Sequence, residues 1–177
     1  MRALALGALA AVLLAVGGPA AAQAAARAPV IETSPPTEVG AALDALHGAA
    51  ARADGAAYFA LFAPDAVYIG TDASERWTLA QFRAFAEPYF ARGRGWTYTL
   101  RPGTRHVALS PDGQVAWFDE LLDSGSYGTS RGTGVLVRTA DGWRIAQYHL
   151  TFPIPNDLAR EFTGRIREHE RAGASAR

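Results

Sequence analysis

Two polar residues, Asp119 and His149, are the candidates for acid–base chemistry in this sequence. Asp119 lies two residues after Trp117 in a stretch that predicts a β-strand, so both side chains share one face. A carboxylate beside an indole in an apolar cavity could take up and return a proton. The alternative is an arginine partner or an exposed strand end. The neighbouring Glu120 is expected to point the other way, towards solvent or a dimer face.

His149 lies near the end of the last predicted strand, where alternation places it on one face with Trp143, Ile145 and Gln147. A neutral imidazole there could act as a base or bind a ligand. The alternative is a core histidine satisfied by a neighbouring polar group. If the faces of the two strands align, Asp119 and His149 would form an acid–base pair.

Aromatic residues are numerous for one domain and could line a pocket for an apolar or ring-shaped ligand. Most of them must also supply the hydrophobic core. Asp72 and Glu75 could sit at the rim of such a pocket, although turn formation, to which Asp72 is well suited, is the favoured interpretation. The predicted pocket-lining residues are Tyr58, Phe62, Tyr68, Phe85, Tyr89, Trp96 and Trp117.

Composition excludes several kinds of chemistry. The 177 residues contain no cysteine and, reading the sequence, no lysine, which removes thiolate chemistry, a lysine Schiff base and a lysine-dependent phosphate loop. The formal net charge is zero, so nucleic-acid binding is not expected. The four histidines, at positions 47, 106, 149 and 169, show no metal-ligand spacing. No metal and no cofactor is predicted.

The first 24 residues have the pattern of a secretory signal peptide, with a positive start, an apolar run and Ala22-Gln23-Ala24 as a cleavage site. A membrane anchor is the alternative, but the apolar run is shorter than the roughly 20 residues that span a bilayer. We therefore expect an exported protein, periplasmic or extracellular, without a stable membrane anchor after cleavage. Residues 25–36 are predicted to be a linker, 37–155 the folded domain and 156–177 a terminal helix and tail.

Helical patterns come first in the domain and strand patterns follow. Thr78 and Gln81 form a capping box that begins the clearest helix. Beyond Gly95 the chain reads as consecutive strands separated by turns such as Pro111-Asp112-Gly113. Segregated helices and consecutive strands are typical of an α+β fold with an antiparallel sheet.

Several stretches together resemble one family. They are FAPDAVYIGTD at 62–72, ERW at 75–77, AWFDE at 116–120, GTGVLVR at 132–138, GWRI at 142–145 and His149. In this order they resemble the SnoaL-like family of the nuclear transport factor two-like superfamily. The resemblance implies a cone: a curved antiparallel sheet, also described as a cystatin-like α+β barrel, wraps three helices around a pocket. It also implies homodimers formed through the sheet.

The superfamily includes isomerases, dehydratases, polyketide cyclases and binding modules, so the fold alone does not select a function. We expect an exported homodimer that binds a small apolar or amphipathic molecule in its cone. The alternative is a cofactor-free acid–base enzyme of isomerase, dehydratase or cyclase type that uses Asp119, His149 or both.

Overall fold

The computed structural model describes residues 37–175, with side chains to residue 174. Helices and strands follow the predicted α+β order. The helices are α1 (Thr37–Ala51), α2 (Gly55–Ala60), α3 (Leu79–Phe90) and α4 (Ala159–Ser175). The strands are β1 (Phe62–Ile69), β2 (Arg76–Thr78), β3 (Thr99–Leu100), β4 (His106–Leu109), β5 (Val115–Ser124), β6 (Gly128–Thr139) and β7 (Gly142–Thr151).

One curved, unclosed sheet holds all seven strands in the order β2-β1-β7-β6-β5-β3, and β4 also pairs with β5. Strands β5, β6 and β7 form an antiparallel meander, as the turns between them predict. The exception to antiparallel pairing is β1, which runs parallel to β7. Helix α2 ends shortly before β1 begins, and β1 then pairs with β7, the last strand in the sequence.

The core lies between the inner face of the sheet and helices α1, α2 and α3. On β5 the inner residues are Ala116, Phe118, Glu120 and Leu122, which are all buried. The hydrophobic effect of burying such a face against helices is the main stabilising contribution to a small domain. The outer face carries the alternate residues, of which Trp117 and Asp119 are exposed and Leu121 is half-buried.

A β-bulge in β7 changes which face each of its residues occupies. Val135 pairs with Gln147, whereas the next residue of β6, Leu136, pairs with Ile145, so Ala146 is the extra residue. An added residue shifts the two-residue period, and side chains beyond it exchange faces. Ile145 is therefore buried on the inner face, while Gln147 lies on the outer face. The expectation that His149 shares a face with Trp143 and Ile145 is wrong for this reason.

Two prolines lie inside elements of the fold. The first strand begins at Phe62 and includes Pro64, which lies where the pairing of β1 with β7 shifts its register. Helix α3 continues two residues beyond Pro88. The signal peptide at 1–24 and the linker at 25–36 lie outside the described residues. Within residues 37–175, no helix is both long enough and apolar enough to cross a bilayer.

Candidate functional site

A buried carboxylate, Glu120, lies at the centre of the inner face and is 0% exposed. Its Oε1 accepts a hydrogen bond from His47 Nε2 at 2.7 Å, and its Oε2 accepts one from Arg105 Nε at 2.7 Å. His47 comes from α1 and Arg105 from the residue before β4. A buried charge costs free energy unless it is paired and hydrogen-bonded, and both oxygens of Glu120 are paired.

Arg105 links this cluster to helix α1. Its Nη1 donates to the backbone carbonyl of Gly40 at 3.1 Å and pairs with Asp44 at 2.8 Å. Asp44 is exposed, whereas Arg105 is buried. Arg105 thus joins the buried cluster of Glu120, His47 and Arg105 to an exposed carboxylate of α1.

Glycine at position 132 makes room for this cluster. A Cβ there would lie 2.7 Å from the Tyr148 hydroxyl and 3.2 Å from Glu120 Oε1. The tyrosine and the carboxylate therefore both approach the backbone of β6 at a point where no side chain fits. Glycine inside a strand often marks such a close approach.

A small inner cavity of about 10 Å³ lies beside His47. That volume is near the minimum needed for one water molecule. Three tyrosines, Tyr58, Tyr68 and Tyr148, line it together with the imidazole, whose side chain is 12% exposed. Burial of the hydroxyls raises the pKa of all three tyrosines, and neighbouring tyrosines or carboxylates add to the effect. Near neutral pH these groups are uncharged and can donate hydrogen bonds.

A larger outer cavity of about 280 Å³ adjoins the inner one, and Tyr68, Trp96, Tyr98 and Leu150 line both. Its size is close to the lower end of the range for ligand pockets. Eight of the residues that line the outer cavity are aromatic: Tyr68, Trp77, Phe82, Phe85, Trp96, Tyr98, Tyr127 and Phe152.

Among the residues that the structure describes, Glu75 is the only charged one that lines the outer cavity. The turn between β1 and β2 holds it: the Gly70 N–H donates to the Glu75 carbonyl at 2.8 Å, and the Asp72 N–H donates to Glu75 Oε2 at 3.2 Å. A Cβ on Gly70 would lie 2.1 Å from Oε2, so the carboxylate occupies the space that a side chain would need.

The predicted pocket residues lie in three different places. Tyr58, Tyr68, Trp96 and Phe85 line one or both cavities. Phe62 is buried in the core, and Tyr89 is exposed on α3; neither lines either cavity. Trp117 is 43% exposed on the outer face of the sheet, so its expected place in the pocket is wrong.

Asp119 and His149 also lie on the outer face, and the expectation that they face a cavity is wrong. Asp119 pairs with Thr133 of β6, which pairs with His149 of β7. A whole strand therefore separates the carboxylate from the imidazole. The physical reason is that both faces of β5 are apolar in sequence, and the buried one is the face that contains Glu120 rather than Trp117.

Two site residues were not recognised from the sequence as a pair. Glu120 was expected towards solvent or a dimer face, yet it alternates with Ala116, Phe118 and Leu122, an apolar set that was as good a candidate for the inner face as the other one. His47 follows Leu46 and lies four residues after Leu43, on the apolar side of α1. Each of these two polar residues lies among apolar residues on its own element, and that pattern was the sequence signal for a buried polar pair.

The comparisons with known proteins agree with this architecture. Residues 39–155 match the SnoaL-like domain family, and the chain belongs to that family. No curated protein matches the sequence.

Among solved structures, a proposed dehydratase of the NTF2-like family from Streptomyces avermitilis is 18% identical, with a TM-score of 0.56 over 67% of this chain and 96% of that one. An NTF2-like protein with a cystatin-like fold from Novosphingobium aromaticivorans is 19% identical, with a TM-score of 0.51 over 71% of this chain and 86% of that one. A proposed ketosteroid isomerase from Shewanella frigidimarina is 17% identical, with a TM-score of 0.51 over 64% of this chain and 94% of that one. These likenesses show that the fold is NTF2-like.

Proposed function

We propose that this protein binds a small apolar or amphipathic molecule in the outer cavity. The observation that supports this is the aromatic lining of a cavity of about 280 Å³, which shares four lining residues with a polar inner cavity. Aromatic walls contribute apolar contact area, and a few placed polar groups orient a ligand. The three inner tyrosine hydroxyls and His47 are such groups.

Thermal unfolding of the purified full chain against a library of ring-containing metabolites tests this proposal. A ligand at a hundred times its dissociation constant should stabilise the fold by about 2.7 kcal/mol. Trp77 and Trp96 line the outer cavity, so a bound ligand should also change their fluorescence. A Trp117→Phe variant, altered on the outer face, should bind every ligand as the parent does. Failure of the whole library to stabilise the chain would contradict the proposal.

A second candidate function is proton transfer, and the pairing of His47 with Glu120 favours it. Glu120 fixes one ring nitrogen of an imidazole that lines the inner cavity. Such a base could remove a proton next to a ligand carbonyl while tyrosine hydroxyls donate to the developing enolate oxygen. This arrangement takes the place of the acid–base pair expected at Asp119 and His149.

Deuterium exchange into phenylacetone, followed by proton NMR in deuterated buffer, tests the second function. Exchange faster than in buffer alone is expected from the parent and from Asp119→Asn. His47→Gln should remove the acceleration while keeping the melting transition cooperative. Equal exchange rates for the parent and for buffer would contradict a catalytic role towards such ketones.

We propose that two copies associate through the outer face of the sheet. Trp117 is 43% exposed there, and the half-buried Leu121, Val135 and Val137 lie on the same face. Large exposed apolar patches are uncommon on monomers. Light scattering should give twice the chain mass, and Trp117→Arg should shift the protein to the monomer mass. A monomeric parent would contradict this association.

We also propose that the protein is exported after cleavage near residue 24, because residues 1–24 have the signal-peptide pattern. N-terminal sequencing of the protein recovered from the periplasm or medium of a bacterial host should begin at or near Ala25. Recovery only from the cytoplasm, with Met1 retained, would contradict export.

A further inference from the structure

The outer cavity has one charged residue in the part of its wall that the structure describes. That residue is Glu75, and no arginine or histidine is among the described lining residues. In the same turn, but outside this lining, hydrogen bonds from Ser74 and the nearby His169 lower the pKa of Asp72. A ligand carboxylate would find no cationic partner among the described residues that line the cavity.

The aromatic lining of the outer cavity includes two stacked pairs of rings. Trp77 stacks on Phe85 with ring centroids 4.9 Å apart and an interplanar angle of 26°. Tyr127 stacks on Phe152 at 4.8 Å and 28°. The face of an aromatic ring is electron-rich and attracts a cation placed over it, most strongly for tryptophan and tyrosine. Both stacked pairs contribute to the lining of the same cavity.

Glu75 lies where a cation among these rings could reach it. Its carboxylate contributes to raising the pKa of the buried Tyr68 hydroxyl, so the charge acts within the cavity wall. The backbone of Gly70 and Asp72 holds the side chain in place, as described above. A carboxylate fixed beside several aromatic rings is the arrangement that suits an ammonium group.

We propose that the outer cavity selects an organic cation, a protonated amine or a quaternary ammonium group joined to an apolar body. This inference rests on the proposed binding function and specifies its ligand class. The ammonium group lies among the aromatic faces near Glu75. The apolar body fills the remainder of the cavity, and a carboxylate of the same shape is excluded by the charge of Glu75.

Three soluble probes with the same ring and chain length test the sign of the charge: phenethylammonium, phenethyl alcohol and phenylacetate. Calorimetric titration of the full chain should show tightest binding for the cation, by about tenfold over the alcohol, and weakest for phenylacetate. The preference should shrink as salt is added, because the partly exposed Glu75 is screened. Alcohol or phenylacetate binding as tightly as the cation would overturn the cation preference and leave the binding function standing. Binding of none of the three would contradict both.

Two variants separate charge from shape. Glu75→Gln keeps an oxygen that can accept from the Asp72 N–H, so it should weaken the cation about tenfold and leave the alcohol unchanged. Phe85→Leu, at a half-exposed rim position that tolerates substitution, should weaken the cation more than the alcohol. The matched control is Glu87→Gln on α3, a carboxylate that does not line the cavity. Equal weakening of cation and alcohol by Glu75→Gln, at an unchanged melting temperature, would overturn the proposal.

Discussion

Glu120 is the residue whose burial places the strongest constraint on its neighbours. A buried carboxylate is tolerated because His47 and Arg105 each bind one oxygen. Pairs of this kind add little net stability compared with apolar residues, but loss of one partner leaves an uncompensated buried charge. The cluster therefore fixes how α1, β4 and β5 fit together, and its three members depend on one another.

Replacing Arg105 by methionine should lower the free energy of unfolding by about 3–5 kcal/mol, because Glu120 would lose its cationic partner in the core. Urea denaturation of the full chain measures this. The matched control is Arg101→Met, which breaks the exposed pair with Asp123 and should have little effect. Adding Glu120→Leu to Arg105→Met should recover much of the loss. Equal effects of Arg105→Met and Arg101→Met would contradict the account.

Gly132→Ala should destabilise the fold by about 1–3 kcal/mol, as overpacking does in a filled interior. The added methyl group would meet the Tyr148 hydroxyl and Glu120 Oε1, so the polar groups of the inner cavity should shift and the outer cavity should bind its ligand less tightly. Gly125→Ala is the control, since a Cβ there meets nothing within 4 Å. Thermal unfolding and ligand titration of both variants check the expectation. If Gly132→Ala were as stable as Gly125→Ala, Tyr148 and Glu120 could move away from β6 without lowering the free energy of unfolding, which would contradict this expectation.

At the scale of elements, the sequence predicted helices and strands better than it predicted their faces. The capping box at Thr78 and Gln81 is present, because that signal is local. The face of β5 could not be decided, since Trp117 and Leu121 are as apolar as Phe118 and Leu122. The bulge at Ala146 carries no signal such as glycine, so the inward or outward direction of His149 could not be read from alternation.

Thr78→Ala should cost about 1 kcal/mol of unfolding free energy, because the Gln81 N–H would lose its side-chain acceptor. Helix α3 supplies Phe82 and Phe85 to the cavity, so a frayed first turn should also weaken ligand binding. Thr97→Ala, at an exposed position outside any described helix or strand, should change neither quantity. Comparison of urea midpoints and ligand titrations tests this. If Thr78→Ala changed the urea midpoint no more than Thr97→Ala does, the first turn of α3 would be held by packing and not by its cap.

For the whole molecule, the SnoaL-like fold followed from the order of several short stretches, none of which is specific alone. The candidate site did not follow, because it assembles one residue from α1, one before β4 and one from β5, far apart in sequence. Aromatic residues are numerous in the sequence, and they were expected in the core or around a pocket. Which of them face a cavity depends on sheet curvature and helix placement, and these are set by contacts among all the elements.

The stability of the whole fold should fall in alkali, because three tyrosines are buried as neutral groups. Tyr58, Tyr68 and Tyr148 have a raised pKa in the folded chain, chiefly through burial. In the unfolded chain they would ionise near the ordinary tyrosine pKa of about 10. Their contribution is therefore complete below about pH 10 and is lost progressively as the pH rises towards the folded values, since the unfolded state releases protons first.

Tyrosinate absorbance and circular dichroism, followed together during an alkaline titration, test this expectation. The ionisation of three of the six tyrosines should coincide with loss of secondary structure. Tyr148→Phe, if it melts cooperatively at neutral pH, should unfold less steeply with pH because one ionisation is removed. Tyr127→Phe, at a position 64% exposed, should leave the steepness unchanged. Full ionisation of all six tyrosines with the secondary structure intact would show that burial does not hold these hydroxyls neutral.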